Sequence, residues 1–169
     1  QADAARRTAW LVAGCGALAL GLLVWLWSAD TTAGDATPLP WLPLLNPLEI
    51  GFGLALLALV AWVRALPAAW RAGVPGTAWR AVLGATAFVL VTGSVLRTCH
   101  HWAGVAWSAD ALFGSTLAQA ALSVTWSLIG VALMLAGHRG TRRAPWVAGA
   151  GLLGVVVAKL FLVELADRG

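Results

Sequence analysis

The chain has 169 residues, of which 60% are hydrophobic and only 11% charged, and its mean hydropathy is +0.83. Soluble domains carry about 25% charged residues, so this composition excludes a water-coated globule, and its apolar excess excludes intrinsic disorder. The net charge of +4 and pI of about 10.5 arise from basic residues scattered between apolar runs, which leaves no footprint for nucleic acid.

A helix needs about 20 mostly apolar residues to cross about 30 Å of hydrocarbon. Five segments satisfy this, near residues 9–27, 48–66, 78–96, 113–136 and 146–165. Lipid offers no partner to open backbone groups, so helix is expected throughout. The runs are continuous and lack the alternation of barrel strands. Arg6 and Arg7 precede the first run as they would in a signal peptide, but its length and its tryptophans point to a retained span. Residues 28–45 form a proline-rich connector with Pro38, Pro40 and Pro43. Asn46-Pro47-Leu48-Glu49 then reads as an N-cap, a proline at N1 and a carboxylate at N3. Pro67 closes the second span, and Gly73-Val74-Pro75-Gly76 turns the chain so that Thr77 caps the third. Asp110 sits where the fourth span begins, Gly137 and Gly140 end it, and Pro145 opens the fifth. Small residues four apart, Ala17/Gly21, Gly51/Ala55 and Ala150/Gly154/Ala158, are expected at helix–helix contacts. Cys15 and Cys99 fall at opposite ends of their spans, too far apart for a disulfide. The only methionine is Met134, so the chain is expected to be processed or part of a longer one.

Basic residues favour the cytoplasmic side. In a five-span zigzag, Arg6, Arg7, Arg64, Arg71, Arg80, Arg139, Arg142 and Arg143 share one side. Arg97, Lys159 and Arg168 fall toward the other, with Asp30, Asp35, Glu49, Asp110, Glu164 and Asp167. The expectation is an all-α polytopic transmembrane bundle, a single module over residues 1–169, with a cytoplasmic N-terminus and a periplasmic C-terminus. Residues 28–45 are then periplasmic. Of the 11 tryptophans, Trp10, Trp62, Trp70, Trp79 and Trp146 map to the inner interface and Trp25, Trp27, Trp41, Trp102 and Trp107 to the outer, leaving Trp126 in mid-span. A buried indole there is expected to bond a neighbouring span.

Ionisable groups within a membrane are costly and so are candidates for function. Arg97, His100 and His101 lie at the outer end of the third span, with Arg97 on the face of both histidines at i+3 and i+4. Ser115, Gln119, Ser123 and Ser127 recur every four residues and form one stripe on the fourth span. Lys159 and Glu164 lie toward the outer end of the fifth. If these three spans are neighbours, Arg97, His100, His101, Gln119, Lys159 and Glu164 form one polar pocket. Each also has a structural role open to it. Lys159 can snorkel or pair with a carboxylate, Arg97 can bind lipid phosphate, the serines can bond their own helix, and Gln119 can join spans. Imidazole titrates near neutral pH and ligates metals. Adjacent helical histidines point about 100° apart, however, and zinc needs three or four ligands. His138 lies on the opposite side. No nucleophile elbow, P-loop, Rossmann fingerprint, HExxH or second histidine cluster is present, and Gly51-Phe52-Gly53 lies inside a span, so no cofactor is expected.

From about Leu45 onward, several stretches resemble a known family. They are Asn46-Pro47-Leu48-Glu49, Arg97-Thr98-Cys99-His100-His101-Trp102-Ala103-Gly104-Val105, Ala111-Leu112-Phe113, Gln119-Ala120-Ala121-Leu122-Ser123 with Trp126, and Lys159-Leu160-Phe161-Leu162-Val163-Glu164-Leu165. The family is the large multi-spanning bacterial predicted membrane proteins of domain-of-unknown-function family 2339, in its C-terminal part. The family pattern has Asp where Glu164 stands. The resemblance implies a longer chain with more spans and lends weight to Arg97, His100, His101, Gln119, Ser123, Trp126, Lys159 and Glu164 as a shared set. It implies no activity.

Three functional readings follow. The first is an inner-membrane module that packs, scaffolds or binds lipid, with membrane lipids, the remaining spans of its own chain or other envelope membrane proteins as partners. The second is a membrane enzyme or carrier for a lipid-linked or anionic envelope substrate at the periplasmic leaflet. There Arg97, Trp102, Gln119, Ser123, Trp126 and Lys159 would hold substrate, and His100, His101 and Glu164 would be candidate catalytic groups. The third is a haem or metal site at His100 and His101.

Overall fold

The structure, a computed structural model, describes residues 2–72 and 76–167, except the side chains of Ala2, Asp30, Trp70 and residues 163–167. Gly73, Val74, Pro75, Arg168 and the side chains of Asp30, Trp70, Glu164 and Asp167 therefore lie outside the described residues. The elements are α1 (Ala2–Thr31), α2 (Pro47–Ala65), α3 (Ala68–Ala72), α4 (Gly76–Ala103), α5 (Ala109–Gly114), α6 (Thr116–Arg139) and α7 (Arg143–Asp167), with no strand among the described residues. Five of them, α1, α2, α4, α6 and α7, are long and apolar enough to cross a membrane.

Their exposure suits that medium. Val24, Leu54, Leu57, Leu128 and Phe161 are exposed, whereas Asn46, Glu49, Ser94 and Arg97 are buried. In water this arrangement would be costly in both directions. In hydrocarbon it satisfies both classes of side chain. The chain is a multi-pass helical membrane protein.

Several boundaries differ from expectation, and capping explains most of them. The third span runs on to Ala103 rather than stopping near residue 96, because Ser94 and Arg97 find polar partners inside the fold. The fourth begins at Thr116, not near residue 113: Ser115 leaves the expected polar stripe to act as its N-cap, accepting the Ala118 N–H at 3.3 Å. Phe113 and Asp110 belong to the separate α5, capped by Ser108. Gly137 lies inside α6, and Gly140 forms its C-cap. Thr77 lies within the first turn of α4 rather than capping it. The short α3 after Pro67 has no counterpart in the hydropathy pattern.

The chain divides into two compact units, Gln1–Trp107 and Ser108–Gly169. In the first, α1 and α2 pack antiparallel. The Trp62 ring covers Gly14, and the Trp25 ring lies where a Gly51 Cβ would come within 2.6 Å of it. The C-terminal half of α4 joins them at the end shared by the α1 C-terminus and the α2 N-terminus. In the second, α6 and α7 pack antiparallel and close. Gly149 faces the Gly130 carbonyl and sits where a Cβ would come within 2.8 Å of Met134, and Gly137 lies under Trp146. Of the small-residue positions expected at contacts, Gly51 is used, against an indole, whereas Gly21 and Gly154 have nothing within 4 Å where a Cβ would stand.

Candidate functional site

At the start of α2, Asn46 takes an extended conformation and its Oδ1 accepts the Glu49 N–H at 3.0 Å. That cap sets the first turn and turns the Glu49 carboxylate inward, to 1% side-chain exposure. There Glu49 Oε1 accepts from Arg97 Nη1 at 3.3 Å and Oε2 accepts from Ser94 Oγ at 3.2 Å. Ser94 and Arg97 are neighbours at i and i+3 on α4, so one face of that helix grips both oxygens. Arg97 Nη2 donates to the Ala29 carbonyl at the end of α1, and the guanidinium lies 5.5 Å from the Trp107 ring centroid. Two glycines make room: a Cβ on Gly93 would lie 3.1 Å from Nη1, and one on Gly34, whose φ is +68°, would lie 3.1 Å from Arg97 Cδ.

One turn beyond, His101 Nε2 donates to the Ala33 carbonyl at 2.8 Å, and the ring stacks on Trp41 at 4.9 Å between centroids. Trp102 Nε1 donates to the Trp41 carbonyl at 3.3 Å. The His100 ring packs edge-on to His101 at 4.7 Å between centroids and to Trp107 at 5.9 Å, and its Nδ1 lies 2.6 Å from the Val105 carbonyl. Of the three residues expected on one face, Arg97 and His101 both dock on the α1 end and its connector, and His100 closes the turn after α4. In each histidine the nitrogen facing a carbonyl must carry a proton, which assigns the tautomer of the neutral ring. No group of three or more His, Cys, Asp or Glu side chains able to hold a metal occurs among the described residues. Cys15 and Cys99 are free thiols.

In the second unit, Lys159 Nζ donates to the Gln119 carbonyl at 2.9 Å and to Ser123 Oγ at 3.1 Å, and lies 5.7 Å from the Trp126 ring centroid. Ser123 Oγ donates back to the same Gln119 carbonyl at 2.9 Å, and Gln119 Nε2 donates to the Leu112 carbonyl at 3.0 Å. Trp126 thus meets a neighbouring span through its ring face.

Arg97, His100, His101 and Trp102 belong to the first unit, and Gln119, Ser123, Trp126 and Lys159 to the second. Glu164 lies outside the described side chains. The residue that sequence reasoning missed is Glu49. The sequence marks it as an N3 carboxylate and as an acid on the Arg97 side, and that shared level, an acid in the first turn of one span and an arginine near the end of another, is the signal that could have paired them. Outside the spans, Asp35 in the connector is held below the usual carboxylate range, chiefly by the hydrogen bond from Thr37 Oγ1 and then by the Thr37 N–H.

The family model described as "Predicted membrane protein (DUF2339)" matches residues 1–169, so the similarity reaches the first span and connector as well as the stretches from Leu45 onward. No curated protein and no solved structure matches the chain.

Proposed function

The chain belongs to the DUF2339 family of predicted membrane proteins, and from that premise we propose that it is a packing and lipid-binding module of a larger bacterial inner-membrane protein of the cell envelope. The observation that carries this reading is how the polar candidates are engaged. Arg97 binds Glu49 and Ala29, His101 binds Ala33, His100 binds Val105, and Lys159 binds Gln119 and Ser123. The His100 contact closes the turn after its own helix and the others tie one segment to another, which is what a structural role needs. The faces around them carry exposed leucines, valines and tryptophans suited to acyl chains.

One observation favours a second reading, the enzyme or carrier. With Nδ1–H held by the Val105 carbonyl, His100 presents Nε2 as a proton acceptor, the orientation a general base requires. Alanine variants at His100, His101 and Lys159 separate the two. The packing reading expects each to lower the amount of protein in the membrane, with any envelope phenotype following that loss. An envelope phenotype at normal protein level in His100→Ala would overturn it in favour of catalysis.

A further inference from the structure

The first unit contains a cleft that the ion pair does not fill. It lies between α1, α2 and α4, with a volume of about 470 Å³. That is within the range of small-molecule sites. Its body is mostly apolar, with Leu23, Phe52, Phe88 and Val89 and the single hydroxyl of Thr92, and its charged groups Glu49 and Arg97 sit together at one end beside Trp27. Phe52 is buried at the floor, whereas Leu23, Trp27 and Val89 are exposed at the mouth, so the cleft opens sideways. All three walls are spans, so the cleft lies at the depth of the hydrocarbon core.

The dimensions choose between occupants. Along α4 the cleft runs from Arg97 back to Phe88, nine residues, or about 13 Å at 1.5 Å per residue. One leaflet of the hydrocarbon core is about 15 Å deep, and a spanning helix would need about 30 Å. A partner helix would therefore overrun this cleft by half its length, whereas a single lipid chain ends with it. The polarity agrees: a charged pair and an indole at one end and hydrocarbon below match an amphiphile's order from head to tail, and Trp27 stands at headgroup level. We propose that this cleft is a binding site for one acyl chain of a membrane phospholipid, with its head beside Trp27 and the Glu49–Arg97 pair. The proposal rests on the lipid-binding reading above and gives it an address.

Photolabelling tests it in the protein purified from its membrane and reconstituted in vesicles of phosphatidylethanolamine and phosphatidylglycerol. A fraction of the phosphatidylethanolamine carries a diazirine in mid-chain. After illumination, peptide mass spectrometry is expected to find adducts on Leu23, Phe52, Phe88 or Val89. Diluting the probe with unlabelled lipid just before illumination should leave them at least five-fold above those on the exposed Leu128. Val89→Trp narrows the mouth and should cut cleft labelling at least five-fold with Leu128 labelling unchanged. Cleft adducts that dilute as fast as those on Leu128 would overturn the proposal without the variant, as would labelling that persists in Val89→Trp or cleft residues that cross-link to polypeptide instead. The readout is the position of an adduct, so its failure leaves the accumulation result for the histidine and lysine variants standing.

Discussion

A guanidinium inside a membrane protein needs both a counter-charge and acceptors, and Arg97 obtains them from Glu49 and the Ala29 carbonyl, with Ser94 completing the carboxylate. Both side chains of the pair are almost fully buried, at 3% and 1% exposure. Breaking a buried pair from one side is costlier than removing it whole. Glu49→Leu is therefore expected to destabilise the protein by about 3–5 kcal/mol, seen as a lower unfolding temperature in detergent. The double variant Glu49→Leu with Arg97→Met should recover most of that loss. A double variant as unstable as the single one would show that the pair does not act as a unit. At the other extreme of exposure, the Asp35 carboxylate has its pKa lowered by Thr37. A depressed acid contributes stability above its unfolded value, which is lost as pH falls through the folded one. The connector turn should thus hold across neutral pH and loosen only below the usual aspartate value of about 3.9. Carbon NMR of Asp35 should titrate below that value, and Thr37→Val should move it upward. The Asn46 cap was legible as a local pattern, since capping needs only neighbouring residues. The partner of Arg97 was not legible, since it lies 48 residues away.

At the scale of elements, the α6–α7 pair shows what holds helices together where lipid removes the hydrophobic drive between them. Glycines supply close approach and Lys159 supplies hydrogen bonds across the gap. At Gly149 a side chain would meet the Gly130 carbonyl and the Met134 backbone, and neither can turn aside. Gly149→Val is expected to cost about 1–3 kcal/mol through overpacking. Gly154→Val should stay within about 0.5 kcal/mol, because nothing stands near that position. Thermal unfolding of both variants in the same detergent makes the comparison, and equal losses would contradict the packing described. The four-residue spacing that picked out Gly154 said which residues are small, not which face turns inward. The ends of these helices were legible only in part. Hydropathy placed the fourth span too early because Phe113 is as apolar as a span residue, while the cap that starts the helix is Ser115.

For the whole molecule, the alternation of basic and acidic junctions predicts that the N-terminus faces the cytoplasm. On that reading the α4–α5 loop at Ala106 and the α6–α7 loop at Arg142 lie on opposite sides. A reporter active only outside the cytosol should therefore work at Ala106 and fail at Arg142, and the converse pattern would reverse the topology. The number of spans, their helical state and the family were all determined by the sequence itself. Length and apolarity are summed along the chain, and a medium without hydrogen-bond partners leaves the backbone one choice. Tertiary structure alone decided that Glu49 neutralises Arg97, that Lys159 rests on the Gln119 carbonyl and Ser123, and that Gly149 rather than Gly154 is the contact. The reason is geometric. A span that is apolar all round carries no periodicity to mark its inner face. Which side chains meet then depends on each helix's rotation and depth against its neighbour, and those appear only when the helices pack.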